Sequence, residues 1–145
     1  MRLNDKTPKY FVLIFFVAGL GLAAWQALAP RANGEGYTVA VKVPPLSAEA
    51  ARGKAAFDAN CAACHGANAS GTNKGPPLVH DIYNPGHHAD GAFYFAAQRG
   101  VRSHHWPYGD MPPQPQVTPE KIKDIVSYVR ELQRANGISY RPHRM

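Results

Sequence analysis

The two cysteines of the chain lie three positions apart and are followed at once by a histidine, in the segment Cys61-Ala62-Ala63-Cys64-His65. Thiols at this spacing can add to the two vinyl groups of a haem, and the adjoining histidine can then bind the iron. A redox-active dithiol would normally follow a strand, whereas a helix is predicted here. A zinc site would require two further ligands at matching spacing, which nearby histidines could supply. The motif therefore favours one covalent c-type haem and leaves zinc open.

The residues around this motif resemble the monohaem class I cytochromes c over about residues 47–135. Gly53 and Phe57 precede the motif at the spacing of that family's first helix, and Ile125 and Tyr128 match its last helix. The resemblance implies an all-α domain in which about three helices and long loops wrap one haem c. It also implies that Gly53 lets the two helices approach closely and that Tyr128 fills the space beside Phe57.

The resemblance assigns roles to a second segment, Gly75-Pro76-Pro77-Leu78. In the family, the carbonyl of the first proline accepts the Nδ1 proton of the histidine that binds the iron. Pro76 is therefore expected to orient His65 and raise its donor strength. Leu78 is expected to pack on the haem face.

The second iron ligand is expected to be Met111. The two other methionines, Met1 and Met145, stand at the ends of the chain. Met111 precedes a proline, and in the family a proline commonly follows the distal ligand and stiffens its loop. A thioether favours ferrous iron and raises the potential. His104 and His105, a few residues upstream, are the alternative ligands, and either would lower the potential.

The two haem propionates need hydrogen-bond donors or cations if they are buried. Arg99, Arg102, Trp106 and Tyr108 lie where the family supplies such donors. The sequence does not choose among them, and the two arginines could equally be solvated.

Five histidines crowd a stretch of 26 residues: His80, His87, His88, His104 and His105. One interpretation is a second metal site, for example for copper. The other is a set of solvated or propionate-contacting histidines at the haem edge. The pattern favours the second interpretation, because adjacent residues on a helix do not face each other.

Three helices are predicted to position these residues, each with a cap and a stop signal. Ser47 caps a helix to about Ala59, Asp90 caps a helix over 91–99 that Gly100 ends, and Thr118 caps a helix that Gly137 ends. Residues 60–89 and 101–117 are predicted loops. Such long loops are uncommon in a compact domain, and they make sense if they wrap a large ligand.

The 20 residues 10–29 are almost wholly apolar and follow three basic residues. At 1.5 Å per residue, their length matches a bilayer core. A cleaved signal peptide is one interpretation, because Ala27-Leu28-Ala29 has the small-x-small form. The length of the run and the following Pro30 favour an uncleaved anchor, and the basic flank should stay in the cytoplasm.

The predicted organisation therefore places the haem domain in the periplasm, at a bacterial inner membrane, behind a single transmembrane helix. Its parts are a cytoplasmic N-terminus (1–9), a transmembrane signal anchor (10–29), a tether (30–46), the cytochrome c domain (47–137) and a basic tail (138–145).

The chain has 145 residues, which allows one ordinary domain, and a net charge of +6. Beyond residue 29 it carries 13 basic and 9 acidic residues, a surplus too small and scattered to indicate nucleic acid. Such a charge suits docking to redox protein complexes in or at the membrane.

With both axial positions filled by protein, the expected function is electron transfer between respiratory or dehydrogenase partners. We expect no enzyme and no small-molecule substrate. One alternative is a gas-binding sensor in which a diatomic gas replaces Met111 on the iron. The others are a haem subunit fixed in a larger oxidoreductase complex and a metal-handling protein that uses the histidine cluster.

Overall fold

Residues 7–28 and 36–142 are described by a computed structural model of the chain. Its contacts divide the chain into two compact units, 1–33 and 34–145. The first unit contains one helix and the second contains the predicted domain.

In the first unit, helix α1 spans Thr7–Leu28, and its side chains over residues 10–25 are exposed. Within the described ranges, no helix combines the length and the apolar character needed to cross a membrane. The membrane span predicted for 10–29 stays a prediction. Its last residue, Ala29, and residues 1–6 of the predicted cytoplasmic N-terminus lie outside the described residues, as do residues 30–35 of the predicted tether.

The second unit contains four α-helices, α2 Ala48–Asn60, α3 Ala62–His65, α4 Asp90–Arg99 and α5 Pro119–Ala135, with short 3₁₀ turns at Ala67–Ala69 and Asp81–Tyr83. Over residues 36–142 the only β pairing is an isolated bridge between Val101 and Met111. An all-α domain with long loops was predicted and is confirmed. The sequence missed the short helix α3.

The helix caps agree with the sequence at two of three places. The Ser47 hydroxyl accepts from the backbone N–H of Ala50, at 3.1 Å, and Thr118 caps α5. The predicted cap Asp90 is wrong, because α4 has Ala89 at its N-cap and Asp90 in its first turn. Asp90 instead accepts a hydrogen bond from Arg130, at 2.8 Å.

The core is built where α2 crosses α5. A Cβ placed on Gly53 would collide with the backbone of Asp124, so only glycine permits this approach. The rings of Phe57 and Tyr128 pack beside it with centroids 5.6 Å apart, and both residues are fully buried. The close crossing and the aromatic pair implied by the family resemblance are therefore both present.

The segment predicted as a tether belongs to the domain from residue 36 onward. The backbone N–H of Val39 donates to the carbonyl of Ser70, at 2.9 Å. The side-chain amide of Asn136 donates to the carbonyl of Lys42 at 2.8 Å and accepts from its N–H at 2.9 Å. Because Val39 and Val41 also pack against the core, the domain begins before Ser47.

The first part of the predicted basic tail also packs on the domain. Ile138 is buried, and the guanidinium of Arg141 donates to the carboxylate of Asp81, at 3.0 Å. Apolar burial and an ion pair therefore hold residues 138–142 to the domain. Residues 143–145 lie outside the described residues.

Helix α5 holds the long loop before α4 through one buried arginine, Arg130, whose side chain is 8% exposed. Its guanidinium donates to the carbonyls of Tyr83 at 2.7 Å and His88 at 2.6 Å. It also donates to Asp90, at 2.8 Å, and to the side chain of Gln133, at 2.6 Å. These charge-assisted bonds explain how a long loop keeps one conformation without secondary structure.

Candidate functional site

The cysteine motif forms the corner between α2 and α3. The Cys61 N–H donates to the Phe57 carbonyl at 2.8 Å, and the His65 N–H donates to the Cys61 carbonyl at 2.9 Å. Cys61 and His65 are one turn apart, on the same face, and both line a common cavity. Cys64 is exposed and does not line it.

The environment of Cys61 does not suit a redox-active thiol. Burial, aided by the neighbouring Cys64, raises the pKa of the Cys61 thiol to about 11. Redox-active cysteines react as thiolates, which a low pKa favours. The site therefore fits a thiol consumed in a thioether better than a redox-active dithiol.

The imidazole of His65 is oriented by a single hydrogen bond. Its Nδ1–H donates to the Pro76 carbonyl, at 2.8 Å, as the family resemblance implied. This bond fixes the tautomer and leaves Nε2 as the atom that can bind a metal. Burial lowers the pKa of His65, against the opposing effect of the Pro76 bond. A neutral imidazole is the form that binds iron.

The loop that carries Pro76 lies directly against the cysteine motif. The Gly71 N–H donates to the His65 carbonyl at 2.6 Å, and the Thr72 hydroxyl donates to the Cys64 carbonyl at 2.5 Å. A Cβ on Gly75 would come within 3.0 Å of that same carbonyl. Close backbone contact, rather than side-chain packing, therefore sets the position of the proline.

Met111 lines the same cavity as His65, from the loop between α4 and α5. Its backbone pairs with that of Val101 through two reciprocal hydrogen bonds, each of 2.9 Å. Gly100 has a φ of +76°, and a Cβ there would collide with the Met111 carbonyl. The predicted pair of ligands thus comes from the end of the short helix α3 and from the loop between α4 and α5, and both residues line one cavity.

The cavity has a volume of about 440 Å³, within the range of about 300–1,000 Å³ typical of ligand pockets. Helices α2, α4 and α5 and the loops between them line it with apolar side chains, among them Phe57, Leu78, Phe93, Val117, Ile122 and Ile125. Leu78, predicted to contact the haem, is 8% exposed. A flat apolar macrocycle fits this lining, which includes Cys61 and the two predicted iron ligands, His65 and Met111.

Of the predicted propionate partners, two line the cavity and two do not. Trp106 and Tyr108 line it. The indole Nε1–H of Trp106 is buried and makes no hydrogen bond of ordinary geometry among the described residues, although it lies near enough to the Tyr83 hydroxyl to act on the pKa of that group. A buried donor normally has a partner, and a propionate oxygen would provide one. The orphaned indole therefore fits a haem at this site.

Arg99 and Arg102 do not line the cavity. The guanidinium of Arg99 lies over the ring of Phe95, 5.2 Å from its centroid. Both Arg99 and Arg102 are exposed. Their exposure agrees with the alternative of solvated arginines, and a contact of either arginine with a propionate stays a prediction.

The sequence missed an aromatic cluster that surrounds Trp106. Its ring centroid lies 5.3 Å from that of Tyr37 and 5.1 Å from that of His80. The Tyr37 N–H donates to the hydroxyl of Tyr108, at 2.7 Å. Tyr37 comes from the segment predicted as a tether, and no spacing in the sequence links it to Trp106.

The structure separates the five histidines into two groups. His80 packs against Trp106, while the other four gather at the exposed edge of the cavity. Burial lowers the pKa of His88, and charges on neighbouring histidines lower it further. Desolvation, His104 and His87 likewise lower the pKa of His105. These shifts favour the neutral imidazole.

Comparison with known proteins gives two matches. The family model described as Cytochrome c matches residues 50–133, a range that includes both cysteines, His65 and Met111. A protein of Synechocystis sp. described as cytochrome c-553-like is 33% identical over 96 residues, which is 63% of this chain and 76% of the relative. No solved structure matches.

Proposed function

Because this chain belongs to the cytochrome c family, whose cofactor is covalently attached haem c, we propose that it carries single electrons between redox proteins with histidine and methionine as iron ligands. The observation that carries this proposal is that His65 and Met111 line one apolar cavity. Helix α3 presents His65, fixed by its 2.8 Å bond to Pro76, and the loop between α4 and α5 presents Met111.

Cys61 and Cys64 are the proposed attachment points of the haem. Each thiol adds across a vinyl group, so that sulfur bonds to one carbon and the thiol hydrogen ends on the other. The corner between α2 and α3 supports this assignment, since it holds Cys61 at the cavity wall and places Cys64 in the next turn of the chain, exposed to solvent. Thioether bonds would hold the cofactor even when the domain opens transiently.

The iron supplies one-electron chemistry by alternating between its ferric and ferrous states. His65 would hold the iron through a nitrogen and Met111 through a sulfur, which would leave no coordination position for a substrate. Family members are usually electron carriers, and this ligation supports a carrier here rather than an enzyme. The apolar lining excludes water, so little solvent must reorganise when the charge changes.

The proposed partners are protein complexes of a respiratory chain or dehydrogenases. The weak positive charge of the exported part supports docking to acidic faces of such proteins. A haem subunit fixed in one larger complex is the closest alternative. Copurification from detergent-solubilised membranes distinguishes them, because a carrier separates from its partners at moderate salt and a fixed subunit does not.

Residues 10–29 are proposed to tether the domain to a bacterial inner membrane, on the periplasmic side. The apolar run, its basic flank and the exposed apolar side chains along α1 support this. The test is an alkaline wash of membranes from cells that make the full chain. The double variant Leu13→Arg/Phe16→Arg should release the protein, whereas Val43→Arg, at an exposed residue of the domain, should not.

Replacing Met111 tests the central proposal. Met111→Ala should remove the long-wavelength absorption band that sulfur bound to ferric iron produces. It should also lower the midpoint potential by on the order of 0.1 V. Met145→Ala is the matched control and should change neither. An unchanged band in Met111→Ala would refute the ligand assignment.

Carbon monoxide separates the carrier from a gas-binding sensor. With Met111 bound, the reduced native protein should react slowly and incompletely, and Met111→Ala should react fast and stoichiometrically. Rapid stoichiometric binding by the native protein would overturn the closed iron site.

A further inference from the structure

Four histidines from two separate loops meet at the exposed edge of the cavity. His87 and His88 come from the turn that follows the 3₁₀ turn Asp81–Tyr83, and His104 and His105 come from the loop between Val101 and Met111. The ring centroids of His87 and His105 lie 5.2 Å apart, and those of His88 and His105 lie 5.4 Å apart. The two loops are far apart in sequence, so only the fold brings the rings together.

The spacing of the ring nitrogens matches a coordination sphere. One nitrogen from each of His87, His88 and His105 lies within 4.8 Å of the other two. The Nε2 atoms of His87 and His105 are 3.2 Å apart. Two nitrogens bound tetrahedrally to one ion at about 2.0–2.1 Å stand roughly 3.3 Å apart. We propose that His87, His88 and His105 bind a divalent transition-metal ion of the zinc and copper class, separate from the haem iron.

His88 is already oriented for this role. Its Nδ1–H donates to the Ile82 carbonyl, at 2.8 Å, which leaves Nε2 toward the cluster. The same arrangement, a second ring nitrogen tied to a carbonyl, is usual for histidines that bind metals. The His88 carbonyl accepts from the buried Arg130, at 2.6 Å, so its backbone is fixed as well.

The turn that carries His87 is equally well held. The backbone N–H groups of His87 and His88 both donate to the carbonyl of Asn84, at 3.0 and 2.9 Å. Asn84 is buried, and its amide donates to the Asp81 carbonyl at 2.7 Å. Little conformational freedom is therefore lost when a metal binds this side of the site.

The opposite loop supplies His105 from a compact turn. The Ser103 N–H donates to the Asp110 carboxylate at 2.8 Å, and the Ser103 hydroxyl donates to the Trp106 carbonyl at 2.6 Å. The Nδ1–H of His104 donates to the Arg102 carbonyl, at 2.8 Å. Three imidazoles leave a fourth position of a tetrahedral ion for water or for His104.

Imidazole ligands select the metal class. Neutral ring nitrogens suit zinc, copper and nickel, whereas calcium and magnesium require oxygen ligands. In the order of divalent affinities copper binds more tightly than zinc. The site should therefore take zinc when it is offered alone and exchange it for copper.

Equilibrium dialysis of the holoprotein against Zn²⁺ tests the proposal, with zinc counted per polypeptide by elemental analysis. The native protein should bind one zinc, and His105→Ala and His87→Ala should each weaken binding at least tenfold. His80→Asn is the matched control, because His80 lies outside the cluster and asparagine can retain its cap of the Ile82 N–H. That variant should bind like the native protein.

No zinc on the native protein, or equal zinc on His105→Ala, would overturn the site. His105 is exposed, so an unchanged visible spectrum of His105→Ala excludes misfolding as the cause of any loss. In competition, Cu²⁺ should displace the bound zinc, and failure to do so would contradict an all-imidazole site. The zinc count does not depend on the haem ligands, so it stands apart from the result for Met111.

Discussion

The two loops that face the cavity are built differently. The loop carrying Pro76 is bonded at several places to the turn that holds His65, through Gly71, Thr72 and Pro76 itself. The loop carrying Met111 is closed by its own bridge to Val101, and most of its remaining bonds are internal. The first loop is thus bonded directly to the turn that holds His65, whereas the second is closed mainly by hydrogen bonds within itself and contacts its neighbours through Trp106 and Tyr108.

This difference indicates a division of labour. The histidine side keeps one geometry, because any shift would break several hydrogen bonds at once. The loop that carries Met111 presents a weak ligand. Its conformation can change when a metal binds at its exposed edge, where the histidine cluster lies. We therefore expect substitutions on the first loop to damage stability, and those on the second to change the potential while leaving the fold intact.

The largest effect is expected from His65→Ala, which should abolish the low-spin visible spectrum and much of the folded population. His104→Ala, on the Met111 loop, is the matched control and should keep a low-spin spectrum. Absorption spectroscopy and circular dichroism of both variants provide the measurement. Loss of the low-spin spectrum in His104→Ala alone would show that the two loops have been assigned the wrong roles.

A pair of glycines tests the difference in stability directly. Gly71 and Gly109 both have positive φ, of +89° and +83°, so alanine is strained at either place. At Gly71 the added Cβ would also collide with the Tyr37 carbonyl, whereas nothing lies within 4 Å at Gly109. Gly71→Ala should cost about 2–4 kcal/mol of unfolding free energy, and Gly109→Ala about 1 kcal/mol. Denaturant titration of the holoproteins measures both, and equal losses would contradict the comparison.

Zinc bound at the histidine cluster should change the midpoint potential of the haem through its positive charge. A divalent cation at the histidine cluster stabilises the ferrous state, because that state carries one positive charge less. The midpoint potential should rise by on the order of tens of millivolts. His105→Ala should show no rise at the same zinc concentration, and a redox titration with and without zinc measures the shift. A rise of equal size in that variant would place the responsible ion elsewhere.

The smallest expected effect concerns the indole of Trp106. Trp106→Phe removes the donor proposed for a propionate, so that the carboxylate charge acts more strongly on the iron. The potential should fall by on the order of 10 mV. The matched control is Trp25→Phe, at an exposed tryptophan of α1, which should leave the potential unchanged. A rise in Trp106→Phe would count against the propionate contact.

The sequence was sufficient for the three longer helices of the domain and for the part of the site around His65 and Pro76, but not for the short helix α3. Caps, helical spacing and the cysteine motif are local signals, and the resemblance to class I cytochromes c added the bond between His65 and Pro76. Local signals failed where long-range bonds decide the structure. Asn136 is hydrogen-bonded to the backbone of Lys42, and Arg141 forms an ion pair with Asp81. The described parts of the predicted tether and of the predicted basic tail are therefore bound to the domain.

The histidine cluster was also hidden from local signals in the sequence. Adjacent histidines do not face each other on a helix, and that rule favoured a solvated interpretation. His87, His88, His104 and His105 lie in turns and loops, where the rule does not apply, and two loops meet there. The role of Arg130 in holding the loop before α4 could not be predicted either. In the sequence, Arg130 is only one of several charged residues of an amphipathic helix.

The dependence of the long loop on Arg130 bears on how the protein is made. Synthesis proceeds from the N-terminus, so both cysteines emerge well before residue 130 of the chain. Until residue 130 has been synthesised, the carbonyls of Tyr83 and His88 lack the guanidinium that donates hydrogen bonds to both. A chain that lacks α5 therefore also lacks the hydrogen bonds that fix the loop before α4.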